Sequence, residues 1–185
     1  MIPPKPAARE NAPLIDFGAC FSPCRTWRYS LWRRWSESGG TVAFIGLNPS
    51  TADETHDDPM VRRCIGFARR WGFGRVIMLN AFGYRSTDPR KLRDIVDPVG
   101  PGNDAAIRAI CRRAGLIVAC WGIHGALFDR ELAIHKLLHN RSLFCFGTTA
   151  GGQPKHPLYL RSTERPIPFA PVGRRQCVVP SGWKA

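Results

Sequence analysis

The sequence lacks long apolar segments, and it has few acidic residues. No run approaches the ~18 apolar residues that a membrane helix requires. The N-terminal segment MIPPKPAARENAP has no apolar core of the kind found in secretory signals. We therefore expect a cytoplasmic protein with no membrane partner. Its 185 residues, 44% of them hydrophobic, suffice for one domain with a core.

Paired cysteines at metal-ligand spacing are also missing. Cys20 and Cys24 form a C-x3-C pair, but no second pair accompanies it, as a zinc or iron–sulfur site would require. Other cysteines lie in apolar runs such as 116-LIVACW-121 and 142-SLFCF-146, which is typical of buried thiols in a reducing compartment. The pattern predicts no metal site.

The charge balance is strongly basic, since 14 Asp and Glu stand against 27 Lys and Arg and give a net charge of +13 at pH 7. Arg is the commoner base, and its guanidinium group suits phosphate. The excess predicts a polyanionic partner, nucleic acid before others. A basic surface that only keeps the protein soluble is the alternative.

The composition divides the chain into three parts. Residues 1–18 are rich in Pro and Ala and are predicted to form a flexible N-terminal arm. Residues 162–185 are predicted to form a basic, Pro-rich C-terminal tail. Residues 19–161 are predicted to form a single α/β domain.

Short apolar runs alternate with helical patterns inside this domain. Strand candidates are 42-VAFIG-46, 75-RVIMLN-80, 116-LIVACW-121 and 142-SLFCFG-147. Their runs without strict alternation are typical of parallel strands covered on both faces. We predict a three-layer α/β/α sandwich with a central, mostly parallel four-stranded sheet. Residues 25–35 are predicted to form a preceding helix, because Trp27, Leu31 and Trp35 recur at a spacing of four.

Polar and aromatic side chains follow each predicted strand. Asn48 follows the first strand, Asn80 ends the second, Trp121 and His124 follow the third, and His156 follows the fourth. In open α/β sheets, ligands bind beyond the carboxyl ends of the strands. Each residue alone has an ordinary explanation as a turn, a capping or a surface residue. Together they predict a pocket.

The segments GLNPS, VIMLNAFGY, LIVACWGIHG and HPLYL, in this order, resemble the uracil-DNA glycosylase superfamily. In that superfamily a first strand ends in a GQDPYH or GINPG type of motif, a second ends in a base-reading asparagine, a third carries a WG pair, and a late loop reads HPSPLS. The resemblance covers about residues 42–161. The chain as a whole also resembles the DUF1643 family.

The resemblance implies a DNA glycosylase that excises uracil or a modified pyrimidine without a cofactor. Asn48 would orient the attacking water, His156 would stabilise the leaving base, and Asn80 would read the base edge. Phe82, Tyr84 and His56 are further candidates for holding the base. Asp57 or Asp58 would be an auxiliary acid, although Asp58 can instead cap a helix. The pocket edge would include Gly46, Pro49, Trp121 and His124. The DNA contacts would be Lys155, Leu160 as a wedge, Arg161, Arg85, Arg62 and Arg63.

The sequence departs from the superfamily pattern at several positions. Asn48 stands where the most active branch has aspartate, as in the thymine/uracil-mismatch branch, and an acidic segment, 53-DETHDD-58, follows. Leu158 and Tyr159 replace Ser and Pro in the last motif. The identity of the base therefore stays open.

Two other functions remain compatible with the sequence. One is a nucleic-acid-binding protein that has the fold without catalysis, and the other is an enzyme that acts on a free nucleotide or nucleoside. The first shares the basic charge, whereas the second needs neither the basic surface nor a wedge. We expect a monomer in each case.

Overall fold

The computed structural model describes residues 12–170, which form one seven-stranded sheet and three α-helices. The strands are β1 (Asp16–Phe21), β2 (Arg28–Arg34), β3 (Thr41–Gly46), β4 (Arg75–Asn80), β5 (Leu116–Ala119), β6 (Leu143–Cys145) and β7 (Ile167–Phe169). The helices are α1 (Pro59–Arg70), α2 (Asn103–Arg113) and α3 (Arg130–Leu137). The strand order is β1-β2-β4-β3-β5-β6-β7.

The prediction of an α/β fold is confirmed, but the prediction of a four-stranded, mostly parallel sheet is wrong. The four predicted strands are present as β3, β4, β5 and β6, and their pairings are parallel. Three further strands extend this central part. The pairings β1–β2, β2–β4 and β6–β7 are antiparallel, so half of the pairings in the sheet run in each direction.

Helices cover both faces of the sheet. In β3, Val42 belongs to the apolar cluster that includes Phe67 of α1. The next residue, Ala43, belongs to the opposite cluster, which includes Ile107 of α2 and Ile134 of α3. Successive side chains of a strand point to opposite faces, so burial on both sides requires the continuous apolar runs seen in the sequence.

The predicted helix over residues 25–35 is wrong, because residues 28–34 form strand β2. Leu31 and Trp35 do lie in the same apolar cluster, as their spacing suggested. A spacing of four is also two full periods of a strand, so it fits both structures. The pairing of Leu31 with Met78 of β4 decides in favour of the strand.

Helix α1 begins as predicted. The Asp58 side chain accepts a hydrogen bond from the Val61 N–H at 2.8 Å, and Pro59 occupies the first turn. Helix α2 begins at Asn103, and Gly102 is its N-cap. The fully buried Asn103 side chain contacts the end of β4, as described below.

Parts of the segments predicted as arm and tail belong to the sheet. Strand β1 begins at Asp16, within predicted arm 1–18, and β7 lies within predicted tail 162–185. Residues 1–11 and 171–185 lie outside the described part of the chain. Between residues 12 and 170, no helix is long and apolar enough to cross a membrane.

Candidate functional site

Polar side chains from several strand ends line a single cavity of about 880 Å³, here called the strand-end cavity. Strands β3, β4 and β5 are parallel, so their carboxyl ends lie at one edge of the sheet. The loops after them and the turn Pro157–Tyr159 enclose the cavity. The sequence-predicted residues that line it are Asn48, Asp58, Asn80, Trp121, His124, Lys155, His156 and Leu160.

The Asn48 side chain is fixed by two hydrogen bonds that its amide nitrogen donates. Its Nδ2 donates to the Ser86 carbonyl at 2.7 Å and to the Pro49 carbonyl at 3.1 Å. These two acceptors fix which end of the amide is the nitrogen. No residue in the described part of the chain donates to Oδ1, so Asn48 offers an acceptor to the cavity that it lines.

The same geometry predicts that Asn48→Asp lowers stability. A carboxylate oxygen would face the Ser86 and Pro49 carbonyls, which are both acceptors, so we expect a loss of about 1–3 kcal/mol in the free energy of unfolding. The pKa of the new carboxyl would be raised in the folded state. Its penalty would therefore shrink as the pH falls, because the protonated acid can donate to Ser86. Denaturant unfolding at several pH values measures this.

Asn48→Ala is the matched control for that measurement. It removes the same two hydrogen bonds without adding a titratable group. Its stability difference from the wild type should therefore stay constant over the pH range in which the Asn48→Asp difference narrows. A constant difference for both variants would contradict the proposed orientation of the amide.

Asn80 ends β4 and is 3% exposed. Its side-chain nitrogen is buried and has no hydrogen-bond partner among residues 12–170. Its backbone, by contrast, is held firmly. The Asn103 side chain donates to the Asn80 carbonyl at 3.0 Å, and Arg130 donates to the next carbonyl, that of Ala81, at 2.5 Å. A rigid backbone thus carries an amide whose own donor is unused.

The His156 ring lies at the start of the turn Pro157–Tyr159, and it lines the cavity. The Leu158 N–H donates to its Nδ1 at 3.4 Å, so the neutral ring carries its proton on Nε2. Arg63 of α1 anchors the turn by donating to the carbonyls of Pro157 and Leu160. Burial lowers the pKa of His156, and the Asp58 carboxylate opposes this shift.

A lowered pKa makes protonation of His156 unfavourable for folding. The unfolded chain then binds more protons than the folded one below the ordinary histidine value of 6.5, so stability falls as the pH decreases through that value. We expect His156→Asn, which can still accept from Leu158 N–H, to lose less stability than the wild type between about pH 8 and about pH 5. If the free energy of unfolding falls equally steeply with decreasing pH in both proteins, burial of a neutral imidazole would be contradicted.

The two candidate acids have different surroundings. One oxygen of Asp58 caps α1, and the residue also lines the cavity, so capping and a role in the site are compatible. The Asp57 carboxylate pairs with the buried Arg33 at 2.8 Å, and it does not line the cavity. Asp58 is therefore the acid that the structure brings to Asn48 and His156.

Several other predicted site residues do not line the cavity. Phe82 is buried in the core and packs edge-on against Phe128. His56 is exposed and contacts Asp53 within its own loop. Arg85 lies over the ring of Phe21. The remaining predicted residues outside the cavity lining are Gly46, Pro49, Arg62, Arg63, Tyr84 and Arg161.

The predicted wedge residue, Leu160, is half-buried and packs against the apolar cluster on the α1 face. Its neighbour Tyr159 is 88% exposed, and Ile123, on the loop after β5, is 64% exposed. Both side chains line the cavity, so they form an apolar part of its rim. An exposed aromatic side chain beside a cavity can stack on a planar ring such as a nucleobase.

Arg28, which no sequence pattern indicated, is the first residue of β2 and also lines the cavity. Strand β2 runs antiparallel to β4, so its beginning lies at the edge where the parallel strands end. A prediction of residues 28–34 as a strand antiparallel to β4 would have placed Arg28 at this edge. Also unforeseen is Gln153, which accepts from the Trp121 indole N–H at 2.9 Å and fixes that ring in the cavity wall.

These features define an α/β protein with a cavity at the carboxyl ends of its parallel strands, to which several strand ends contribute polar side chains. The chain belongs to the family described as protein of unknown function (DUF1643), whose model matches residues 28–158, more than half of the chain. The match includes all residues that line the cavity except Tyr159 and Leu160. No curated protein and no solved structure gives a significant match.

Proposed function

We propose that this protein is a DNA glycosylase that takes a pyrimidine nucleotide out of the base stack and hydrolyses its N-glycosidic bond. The observation that carries the proposal is that Asn48, Asn80 and His156 line one cavity. These are the three residues to which the motif resemblance assigns the chemistry. Ligand cavities measure about 300–1,000 Å³, so one of about 880 Å³ has room for a pyrimidine that carries a substituent.

Base recognition is the part of the reaction assigned to Asn80. An amide offers one donor and one acceptor, which match adjacent groups on the Watson–Crick edge of a pyrimidine. Its buried nitrogen has no partner in the described part of the chain, so a bound base would satisfy it. The bonds from Asn103 and Arg130 to the following backbone keep the amide in place.

Bond cleavage is the part assigned to His156, Asn48 and Asp58. As the C–N bond breaks, its electron pair leaves with the base, and negative charge builds up on a base carbonyl oxygen. The Nε2–H of neutral His156 would donate to that oxygen. The Asn48 Oδ1 would accept one hydrogen of a water, whose oxygen bonds to the positively charged sugar carbon. The proton that the water loses would go to Asp58 or to the departing base.

The surface around the cavity supports DNA as the partner. Lys155 is exposed at the rim and can contact phosphate. Tyr159 and Ile123 project beside it and can fill the space that a displaced base leaves in the stack. We therefore expect binding to weaken with salt and to show little sequence preference.

The test is an excision assay on single-stranded and duplex oligonucleotides. The panel carries uracil, mismatched thymine or pyrimidines with polar substituents, and alkali cleaves the chain at any abasic site. Abasic product that disappears in Asn48→Ala, while DNA binding persists, would support the proposal. Tight binding without product from any member of the panel would contradict it and favour a non-catalytic nucleic-acid-binding protein.

A further inference from the structure

Arg28 is a buried cation without a sufficient set of partners. It is 3% exposed and lines the strand-end cavity. Its Nη1 donates to the Ala52 carbonyl at 2.6 Å, whereas Nε is buried and has no partner among the described residues. A buried guanidinium with an unused donor is costly unless a further acceptor completes its hydrogen bonds. Because Arg28 borders the strand-end cavity, the cavity is the space in which such an acceptor would bind.

The charges around Arg28 do not neutralise it. In the described part of the chain, no carboxylate lies within ion-pair distance of its guanidinium. Burial lowers the pKa of Arg28 to about 10; Asp58 and Asp53 oppose the shift, and Arg85 and Arg33 add to it. Arg28 therefore stays protonated at neutral pH. The cavity therefore has a protonated guanidinium without an ion-pair partner on this side, and the Asp58 carboxylate acts on it only from a longer distance.

Hydroxyl groups line the same cavity. Ser50 and Thr51 come from the loop after β3, and Thr87 comes from the loop after β4; all three line the cavity. Ser86 lines it too, but its hydroxyl already donates to the Asp88 carbonyl at 2.8 Å. A guanidinium group together with hydroxyl donors is a combination that binds phosphate oxygens. The rim at Ile123 and Tyr159 is apolar and aromatic, and its one side-chain hydrogen-bond donor is the phenol of Tyr159.

We propose that Arg28 and these three hydroxyls form a phosphate-binding subsite, which holds a phosphate group of the nucleotide whose base lies against Asn80. The proposal deepens the proposed function by naming a phosphate contact inside the cavity, and it rests on that function only for the position of the base. The phosphate can come from the DNA backbone beside the displaced nucleotide or from a free nucleoside monophosphate. Both sources present the same anionic oxygens to Arg28.

The first arm of the test uses small molecules and needs no excision. Isothermal titration compares deoxyuridine monophosphate with deoxyuridine, with inorganic phosphate as competitor. We expect the monophosphate to bind the wild type at least about tenfold more tightly than deoxyuridine does, because a hydrogen bond to a charged group contributes about this much. Arg28→Met should remove that preference, and Arg28→Lys should keep part of it because the charge remains without the planar fork.

The second arm uses single-stranded oligonucleotides in which one linkage beside the target nucleotide is a neutral methylphosphonate. If the DNA backbone supplies the phosphate, neutralising one linkage should weaken wild-type binding about tenfold and should have no effect on Arg28→Met. Arg108→Met is the control, because Arg108 is exposed on α2 and lies outside the cavity lining. It should respond to the methylphosphonate as the wild type does.

The results separate this inference from the proposed function. Phosphate-dependent binding through Arg28 without any base excision would support the subsite and contradict the glycosylase. If the rate of base excision changes neither in Arg28→Lys nor on any substrate with a neutralised linkage, the result would support the glycosylase and contradict the subsite. If the folded Arg28→Lys and Arg28→Met variants bind monophosphate, nucleoside and oligonucleotides as the wild type does, Arg28 only bonds to Ala52, and the subsite does not exist.

Discussion

Replacing His156 by alanine is expected to lower the rate of base excision by about 100-fold to 1000-fold, which is the usual cost of removing one preorganised donor from a developing negative charge. The ring is neutral, its Nδ1 accepts from Leu158, and its remaining proton is on Nε2. The donor is therefore already in place before the reaction. Single-turnover rates on the best oligonucleotide substrate measure the effect without interference from product release.

His56→Ala is the matched control for this prediction. His56 was also a sequence candidate, but it is exposed, contacts Asp53 and does not line the cavity. Its replacement should leave the excision rate within about twofold of the wild type, as is usual for an exposed residue remote from the site. Equal losses in both variants would show that the rate depends on overall folding rather than on a donor at position 156.

Replacing Asn80 by leucine is expected to abolish recognition without a loss of stability. The change removes a buried amide whose nitrogen has no partner in the described residues, so the free energy of unfolding should stay constant or rise by about 1 kcal/mol. Excision should fall about 100-fold or more, because a leucine cannot pair with the polar edge of the base. Binding sites often contain groups that disfavour folding in this way.

Asn103→Leu is the matched control, since residues 12–170 include two buried asparagines with different contacts. Asn103 donates to the carbonyls of Asn80 and Ala81, which lose this donor in the variant. We expect its free energy of unfolding to fall by about 1–3 kcal/mol. Denaturant unfolding of both variants under one buffer condition makes the comparison. A clear loss of stability in Asn80→Leu would mean that the amide serves the fold, and the recognition role would be wrong.

The sequence predicted the centre of the fold better than its edges. Strands β3, β4, β5 and β6 and the cap of α1 follow from apolar runs and from one Asp-Pro pair. Around β2, Trp27, Leu31 and Trp35 recur at a spacing of four, which fits a helix and a strand equally well. The pairing of β2 with β4 is a contact over about 45 positions (28–34 with 75–80), and local patterns contain no information about such contacts.

The site shows the same division. Asn48, Asn80 and His156 could be brought together by the rule that parallel strands end at one edge. Arg28 could not, because it begins an antiparallel strand that the sequence pattern missed. Phe82 illustrates the opposite error: an aromatic residue directly after a strand is as suited to the core as to a binding site, and here it is buried.

The strand order has a consequence for how the chain folds. Strands β2 and β3 follow each other in the sequence, yet β4 lies between them in the sheet. A nascent chain that ends before residue 75 therefore cannot place these two strands in their final positions, since the strand that joins them has not been made. Arg28 begins β2 and Asn48 follows β3, so the two residues lie on opposite sides of β4. Their cavity can form only after β4 has inserted, a late and long-range step that should limit the rate of folding.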